Sequence, residues 1–305
     1  MQNSLVFEKS FDFVINRAKS LKKPARVVVT GAYVENILKA VFQAEAEGFC
    51  RPVLVGSEDR ILAVLERMGL KDRGYDICHV EEGDDLVQHA IDVVNAGMGD
   101  ILMRGNTSTR SFLMPILNKQ NKLVKGFVSE VALVKVPYYD RILALSDVSV
   151  SVNPSVEQRM EIVKNTVEVL NALGQKRPNV ALMALAEKPS FHMRDTVEAQ
   201  NIVREHEIEP IADCNLVGPI TWDLIVSKDA AKAKGYNCDL CGEFDAVVMP
   251  NVMAGNTTMK VLGMSANCNT CGVLAGTTVP VAMTSRASSV ERVYLSLCVA
   301  AAMLK

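Results

Sequence analysis

The chain has 305 residues, 49% of them hydrophobic and 22% charged, with a formal net charge of −2. At roughly 100–200 residues per domain this length predicts two domains with substantial cores. The near-neutral charge lacks a basic block, which argues against nucleic acid as a partner. No apolar run reaches the roughly 18 residues of a membrane span.

Short β-rich runs alternate with helical patterns from Arg26 onward. RVVVTGA (26–32), RPVLVGS (51–57), YDICHVE (75–81) and DILMRG (100–105) read as strands. VENILKAVFQAEAEGF, DRILAVLERMGL and DDLVQHAIDVVNAGMG between them carry helical spacing. After a crossing near residues 122–126 the rhythm resumes. VALVKVP, ILALSDVSVSV, NVALMALA, FDAVVMP and VPVAMTS are strand candidates, and SVEQRMEIVKNTVEVLNALG and MRDTVEAQNIVREHEI are the strongest helices. Such alternation predicts an α/β class with parallel sheet covered by helices. Ligands of open α/β sheets bind at the carboxyl ends of strands, so the turns there are the informative positions.

Three turns stand out. In MRGNTSTRSFLMPIL a strand ends at Arg104, and Thr107, Ser108 and Thr109 precede a helix. A helix N-terminus offers free N–H groups to an anion, and Arg104 and Arg110 add phosphate-matched donors. In MPNVMAGNTTMKVL, Gly255, Asn256 and Thr257 are read as opening a helix, with glycine allowing close approach to a ligand. In VPVAMTSRASS an apolar strand runs into Thr284, Ser285 and Arg286, a hydroxyl and a guanidinium suited to a polar reacting group. Ordinary capped helices with surface arginines are the bland reading of the first two. No G-x-G-x-x-G follows a strand, and neither a P-loop nor H-E-x-x-H occurs, which removes dinucleotide, nucleotide-hydrolysis and zinc-protease readings.

Eight cysteines occur, four of them as CDLC (Cys238, Cys241) and CNTC (Cys268, Cys271). Paired CxxC spells a closed, structural tetrathiolate zinc site; four reduced thiols are the competing reading, and an iron–sulfur cluster a weaker one. A right-handed β-α-β unit is expected to bring the two pairs together at the amino ends of neighbouring strands, away from the turns above. The N-terminus lacks an apolar signal region, so a cytoplasmic location is expected, where thiols stay reduced.

In order and spacing, DILMRGNTSTRSFL, SDVSVSVNP, ALMALAEKPSFHMRDTVEA, GPITWDLIVS, FDAVVMPNVMAGNTTMKVL and VPVAMTSRASS resemble the phosphate acetyl/butyryltransferase family, closer to its butyryl branch. The resemblance implies two α/β/α lobes with a cleft between them, as in the isocitrate/isopropylmalate dehydrogenase-like fold. The first lobe would hold 1–125 and 272–305, the second 126–271. It further implies coenzyme A as a substrate, exchange of CoA and phosphate on a short acyl group, and a homo-oligomer, dimer or larger. Ser285 is then the partner of the thiol or oxyanion and Arg286 a phosphate or carbonyl clamp, with Gly255, Asn256 and Thr107–Thr109 as contacts. The chain departs from the acetyl branch at Arg292, where that branch has an aspartate, and at Gly263, where it has an arginine. Acetyl specificity and a non-catalytic CoA- or metabolite-binding relative are the alternatives.

Overall fold

The computed structural model describes residues 10–71, 73–265, 268–284 and 288–304. Two compact units form, one from Val14–Gly126 with Cys271–Lys305, the other from Phe127–Thr270 with the segment up to Phe13. Helix α1 (Asp12–Lys19) leads into β1 (Ala25–Thr30), α2 (Glu35–Ala46), β2 (Cys50–Gly56), α3 (Glu58–Arg67), β3 (Asp76–His79), α4 (Leu86–Asn95), β4 (Ile101–Arg104) and α5 (Thr109–Leu117). Strand β5 (Val124–Lys135) carries the chain onward to β6 (Ile142–Ser146), α6 (Val156–Ala172), β7 (Asn179–Met183), α7 (Arg194–Ile208) and β8 (Asn215–Ile220). Then come α8 (Trp222–Val226), α9 (Lys228–Lys234), β9 (Ala246–Val248), α10 (Val252–Ser265), β10 (Thr270–Thr277), β11 (Val281–Met283) and α11 (Val290–Ala302).

In the first unit the strand order is β3-β2-β1-β4-β11-β10. All neighbours are parallel except β10 and β11, which form an antiparallel hairpin. The parallel strands are apolar runs because helices cover both faces; Val27, Val28, Val29, Ile101, Leu102, Val281 and Ala282 are fully buried. Helix α11 is buried along Val293–Ala302, and its small and branched residues pack closely on α2.

At the amino end of β1, Arg26 grips Asp100 twice, Nε to Oδ2 at 2.9 Å and Nη2 to Oδ1 at 2.7 Å, and the Arg26 backbone N–H adds a bond at 2.8 Å. The Arg26 guanidinium beside it holds the Asp100 carboxyl below its ordinary value. A depressed carboxylate stabilises the fold above its unfolded-state pKa, near 3.8, and that contribution is lost as pH falls through the lower folded value. Because the pair is about one-third exposed, Asp100→Asn is expected to cost only about 1 kcal/mol at pH 7. Urea unfolding of both proteins checks this, and the difference should shrink as the pH drops below 3.8; a constant difference refutes the assignment.

The second unit orders its strands β5-β6-β9-β7-β8. Its core gathers Val134, Leu143, Leu145, Ala181, Leu224, Phe244, Val247 and Met249. Strand β6 stops at Ser146, earlier than the run ILALSDVSVSV predicts. The cause is Asp147. Its buried carboxylate accepts the backbone N–H groups of Glu130, Ser149, Val150 and Ser151 at 2.7–3.2 Å. Three of those donors lie in the expected strand, and curling around the carboxylate removes them from a ladder.

Candidate active site

Within the first unit, β1, β4 and β11 are adjacent and parallel, so their carboxyl ends lie side by side. Side chains tie those ends together. Thr30 Oγ1 donates to the Met103 carbonyl at 2.8 Å and accepts from the Gly105 N–H at 3.3 Å. Arg104 Nε and Nη2 donate to the Thr107 carbonyl at 3.2 and 2.9 Å, and Nη1 to the Thr284 carbonyl at 3.0 Å. Thr284 Oγ1 returns a bond to the Arg104 carbonyl at 3.1 Å. Arg104 is 6% exposed. Its guanidinium therefore braces two turns instead of reaching outward as the sequence reading expects of it. Thr284 directly precedes Ser285 and Arg286, which fall outside the described residues.

The chain leaves β4 through Gly105, where a Cβ would stand 1.9 Å from the Thr30 carbonyl oxygen. It then enters α5. Ser108 caps this helix, accepting the Ser111 N–H at 2.9 Å. Thr107 is buried and its hydroxyl has no hydrogen-bond partner among the described residues, whereas Thr109 and Arg110 are exposed at the helix start. A cavity of about 530 Å³ opens here, lined by the polar residues Asn106, Thr107, Ser108 and Ser111 and the apolar residues Leu86, Val87, Met114 and Pro115. Asp84 and Asp85 also line it; Asp85 is committed to the α4 N-terminus, accepting from the Val87 and Gln88 N–H groups. A lining that mixes hydroxyls and an amide with apolar side chains suits a ligand that mixes amide and alkyl parts. The exposed α5 N-terminus with Arg110 suits an anion.

The Gly255 turn sits in the second unit. Helix α10 starts at Val252, three residues before the expected opening, because the Asn251 side chain accepts the Ala254 N–H at 2.9 Å. Gly255 is thus inside the helix. A Cβ on it would stand 2.2 Å from the Asp147 carbonyl oxygen, so the close approach it permits is to the β6 turn. Asn256 Nδ2 donates to the Val148 carbonyl at 2.9 Å, while Thr257 is exposed. Asp147, which sequence reasoning passed over, is the hub of this group. Burial pushes its carboxyl pKa above the ordinary value and the four backbone donors pull against that. The hydroxyls of Ser146 and Ser149 beside it are buried with no hydrogen bond among the described residues. The available signal was the Ser-Asp pair at a strand end, followed by polar–apolar alternation and a proline.

A second cavity in this unit, about 810 Å³, is lined by Tyr138, Arg141, Lys228 and Glu243 among others. Both of its cations pair with Glu243, which leaves little positive potential for an incoming anion.

The cysteines do not form the expected tetrathiolate. Strand β9 lies between β6 and β7, and β10 pairs antiparallel with β11, so no β-α-β unit joins the two CxxC pairs. Cys241 and Cys268 are buried in the apolar cluster of the second unit. No group of three or more His, Cys, Asp or Glu among the described residues could hold an ion. A structural zinc at these four positions is therefore not supported by the described residues.

Residues 64–301 match the family model described as phosphate acetyl/butaryl transferase. The phosphate butyryltransferase of Clostridium acetobutylicum is 32% identical over 294 residues, covering 96% of this chain and 97% of that protein. The crystal structure of a branched-chain phosphotransacylase from Enterococcus faecalis superposes with a TM-score of 0.80 at 28% identity, covering 92% of this chain and 98% of that one. A 4-hydroxythreonine-4-phosphate dehydrogenase from Klebsiella pneumoniae shares the fold at a TM-score of 0.54 and 12% identity, covering 93% of this chain and all of that one.

Proposed function

Since this chain belongs to the phosphate acetyl/butyryltransferase family, we propose that it exchanges CoA and phosphate on a short acyl group: acyl-CoA plus phosphate gives acyl phosphate plus CoA, reversibly. A butyryl or branched short chain is the preferred acyl group. The observation that carries this is the full-length match to a phosphate butyryltransferase together with the likeness to a branched-chain phosphotransacylase.

The chemistry requires phosphate oxygen to attack the thioester carbonyl while the CoA thiolate leaves. Two anionic reactants must be held together, and the tetrahedral oxyanion between them needs donors already in place. Arg286 is assigned to that anionic charge and Ser285 to the thiol or oxyanion, both following Thr284 in sequence. Arg110 and the α5 N-terminus are assigned to phosphate groups. The mixed polar and apolar cavity beside Thr107, Ser108 and Met114 is assigned to the pantetheine arm. Arg104 takes a positioning role, since each of its guanidinium nitrogens donates to the Thr107 or Thr284 carbonyl. Gly255 and Asn256 likewise shape the β6 turn, and direct ligand contact is not assigned to them. Location in the cytoplasm and assembly as a homo-oligomer belong to this reading as well; no helix among the described residues is long and apolar enough to cross a membrane.

The test follows CoA release with a thiol reagent as acetyl-, butyryl- and isobutyryl-CoA are supplied with phosphate. Phosphate-dependent release, greatest with the four-carbon substrates, is the expected result, and no release with any of them refutes the reading. Arg286→Ala is expected to lose at least about tenfold in kcat/KM, or 1.4 kcal/mol of transition-state stabilisation; an unchanged value removes Arg286 from its role.

A further inference from the structure

The chemistry above uses neither cysteine of CDLC, and no metal-binding group among the described residues includes them. Their local geometry has a different character. The Cys241 N–H donates to the Cys238 carbonyl at 3.2 Å, closing a tight turn. A turn of that kind holds its first and fourth Cα atoms within about 7 Å, which overlaps the roughly 4.4–6.8 Å separation of disulfide-bonded cysteines. The two thiols differ in access: Cys238 is half-buried and Cys241 is buried at 2% exposure.

We propose that Cys238 and Cys241 form a reversible dithiol–disulfide couple, oxidised by low-molecular-weight disulfides, with Cys238 as the entering thiol and Cys241 as the resolving one. This inference is independent of the transferase reading. In the first step the Cys238 thiolate attacks one sulfur of the small disulfide and expels the other as a thiolate, which takes up a proton. In the second, Cys241 loses its proton and attacks Cys238 Sγ, expelling the second small thiol. Two protein thiols lose two electrons and two protons, and one small disulfide becomes two thiols; excess small thiol reverses both steps.

Access and spacing single out this pair. Cys50, Cys214, Cys268, Cys271 and Cys298 are all buried. Cys78 is half-buried as well, but its sequence neighbourhood places no second cysteine in the same turn. Cys268 shares the apolar cluster with Cys241 and is the competing partner that the test must separate. The turn lies between α9 and β9 and is followed by a Gly242 N–H bond to the Ile225 carbonyl at 3.1 Å. A new bond inside it constrains a short loop and leaves the sheet unchanged.

The test treats the full chain with glutathione disulfide, blocks remaining thiols by alkylation and maps the peptides by mass spectrometry. The expected product has lost two hydrogens and links Cys238 to Cys241, and excess glutathione restores both thiols. Cys241→Ser should accumulate the glutathione adduct on Cys238, Cys238→Ser should react at least about tenfold more slowly, and Cys268→Ser should leave the disulfide unchanged. If Cys241→Ser does not fold, the peptide map of the unsubstituted chain decides alone. A link to Cys268, thiols that stay reduced under excess oxidant, or one zinc per chain in the purified protein would overturn the proposal.

Discussion

Gly105→Ala is expected to be among the most damaging single changes in the chain, costing more than about 3 kcal/mol of stability. The added Cβ would stand 1.9 Å from the Thr30 carbonyl oxygen and 2.7 Å from that of Gly31. Both are backbone atoms of the neighbouring parallel strand end, so no rotamer change relieves the contact. The turn must lift away, and its ties go with it: the Gly105 N–H bond to Thr30 Oγ1 and the Asn106 N–H bond to the Gly31 carbonyl at 3.0 Å. Displacement would also pull the Thr107 carbonyl off Arg104. Turnover should therefore fall further than the loss of folded protein accounts for. Gly126→Ala is the control, because a Cβ there meets nothing within 4 Å, and its effect should stay within about 0.5 kcal/mol. Thermal unfolding and phosphate-dependent CoA release on both variants check this. A Gly105→Ala protein with unchanged midpoint and turnover would remove the close approach as the reason for glycine here.

The contrast between those two glycines shows which features the sequence exposes. Alternating strands and helices were legible because hydrophobic runs such as RVVVTGA and DILMRG are local signals of buried parallel strands. The family was legible in the order of the strand-end motifs. Strand β8 was not, since Gly218 and Pro219 punctuate its NLVGPI and read as a turn. The extent of β6 was misjudged because alternation in SDVSVSV looks like a strand until Asp147 draws its backbone donors inward. At the candidate site, residue types pointed to strand-end turns but not to what their side chains face. A motif arginine such as Arg104 reads as a ligand donor, yet pairing of β4 with β11 presents it with the Thr284 carbonyl and its own following turn with that of Thr107. The CxxC pairs failed for a topological reason, because β10 leaves β9 for a hairpin in the other unit, and no local pattern announces that.

Arg159 presents the opposite case, a charge where the fold gives it almost nothing. It sits on the first turn of α6 and is fully buried, and none of its guanidinium nitrogens has a hydrogen-bond partner among the described residues. The nearest carboxylate oxygen, Glu198 Oε2 on α7, stands 3.8 Å from Nη1, beyond hydrogen-bond length. Glu198 itself is held by Arg194 Nε at 2.5 Å. Burial accordingly pulls the Arg159 pKa below its ordinary value, with Glu198 and Asp195 opposing. Desolvating a guanidinium costs several kcal/mol, and a lone distant ion pair returns only part of it. Arg159→Met keeps the apolar stem and removes the charge, so it is expected to be neutral or stabilising by up to about 4 kcal/mol. Glu198→Ala does the reverse: it leaves the buried cation without its nearest counter-ion and is expected to cost about 3–5 kcal/mol. In the double variant most of that cost should vanish, since no buried charge remains to be compensated. Denaturant unfolding of the three variants measures the cycle. If Arg159→Met alone destabilises by more than about 1 kcal/mol, the guanidinium is contributing bonding that its surroundings do not show, and the desolvation argument fails.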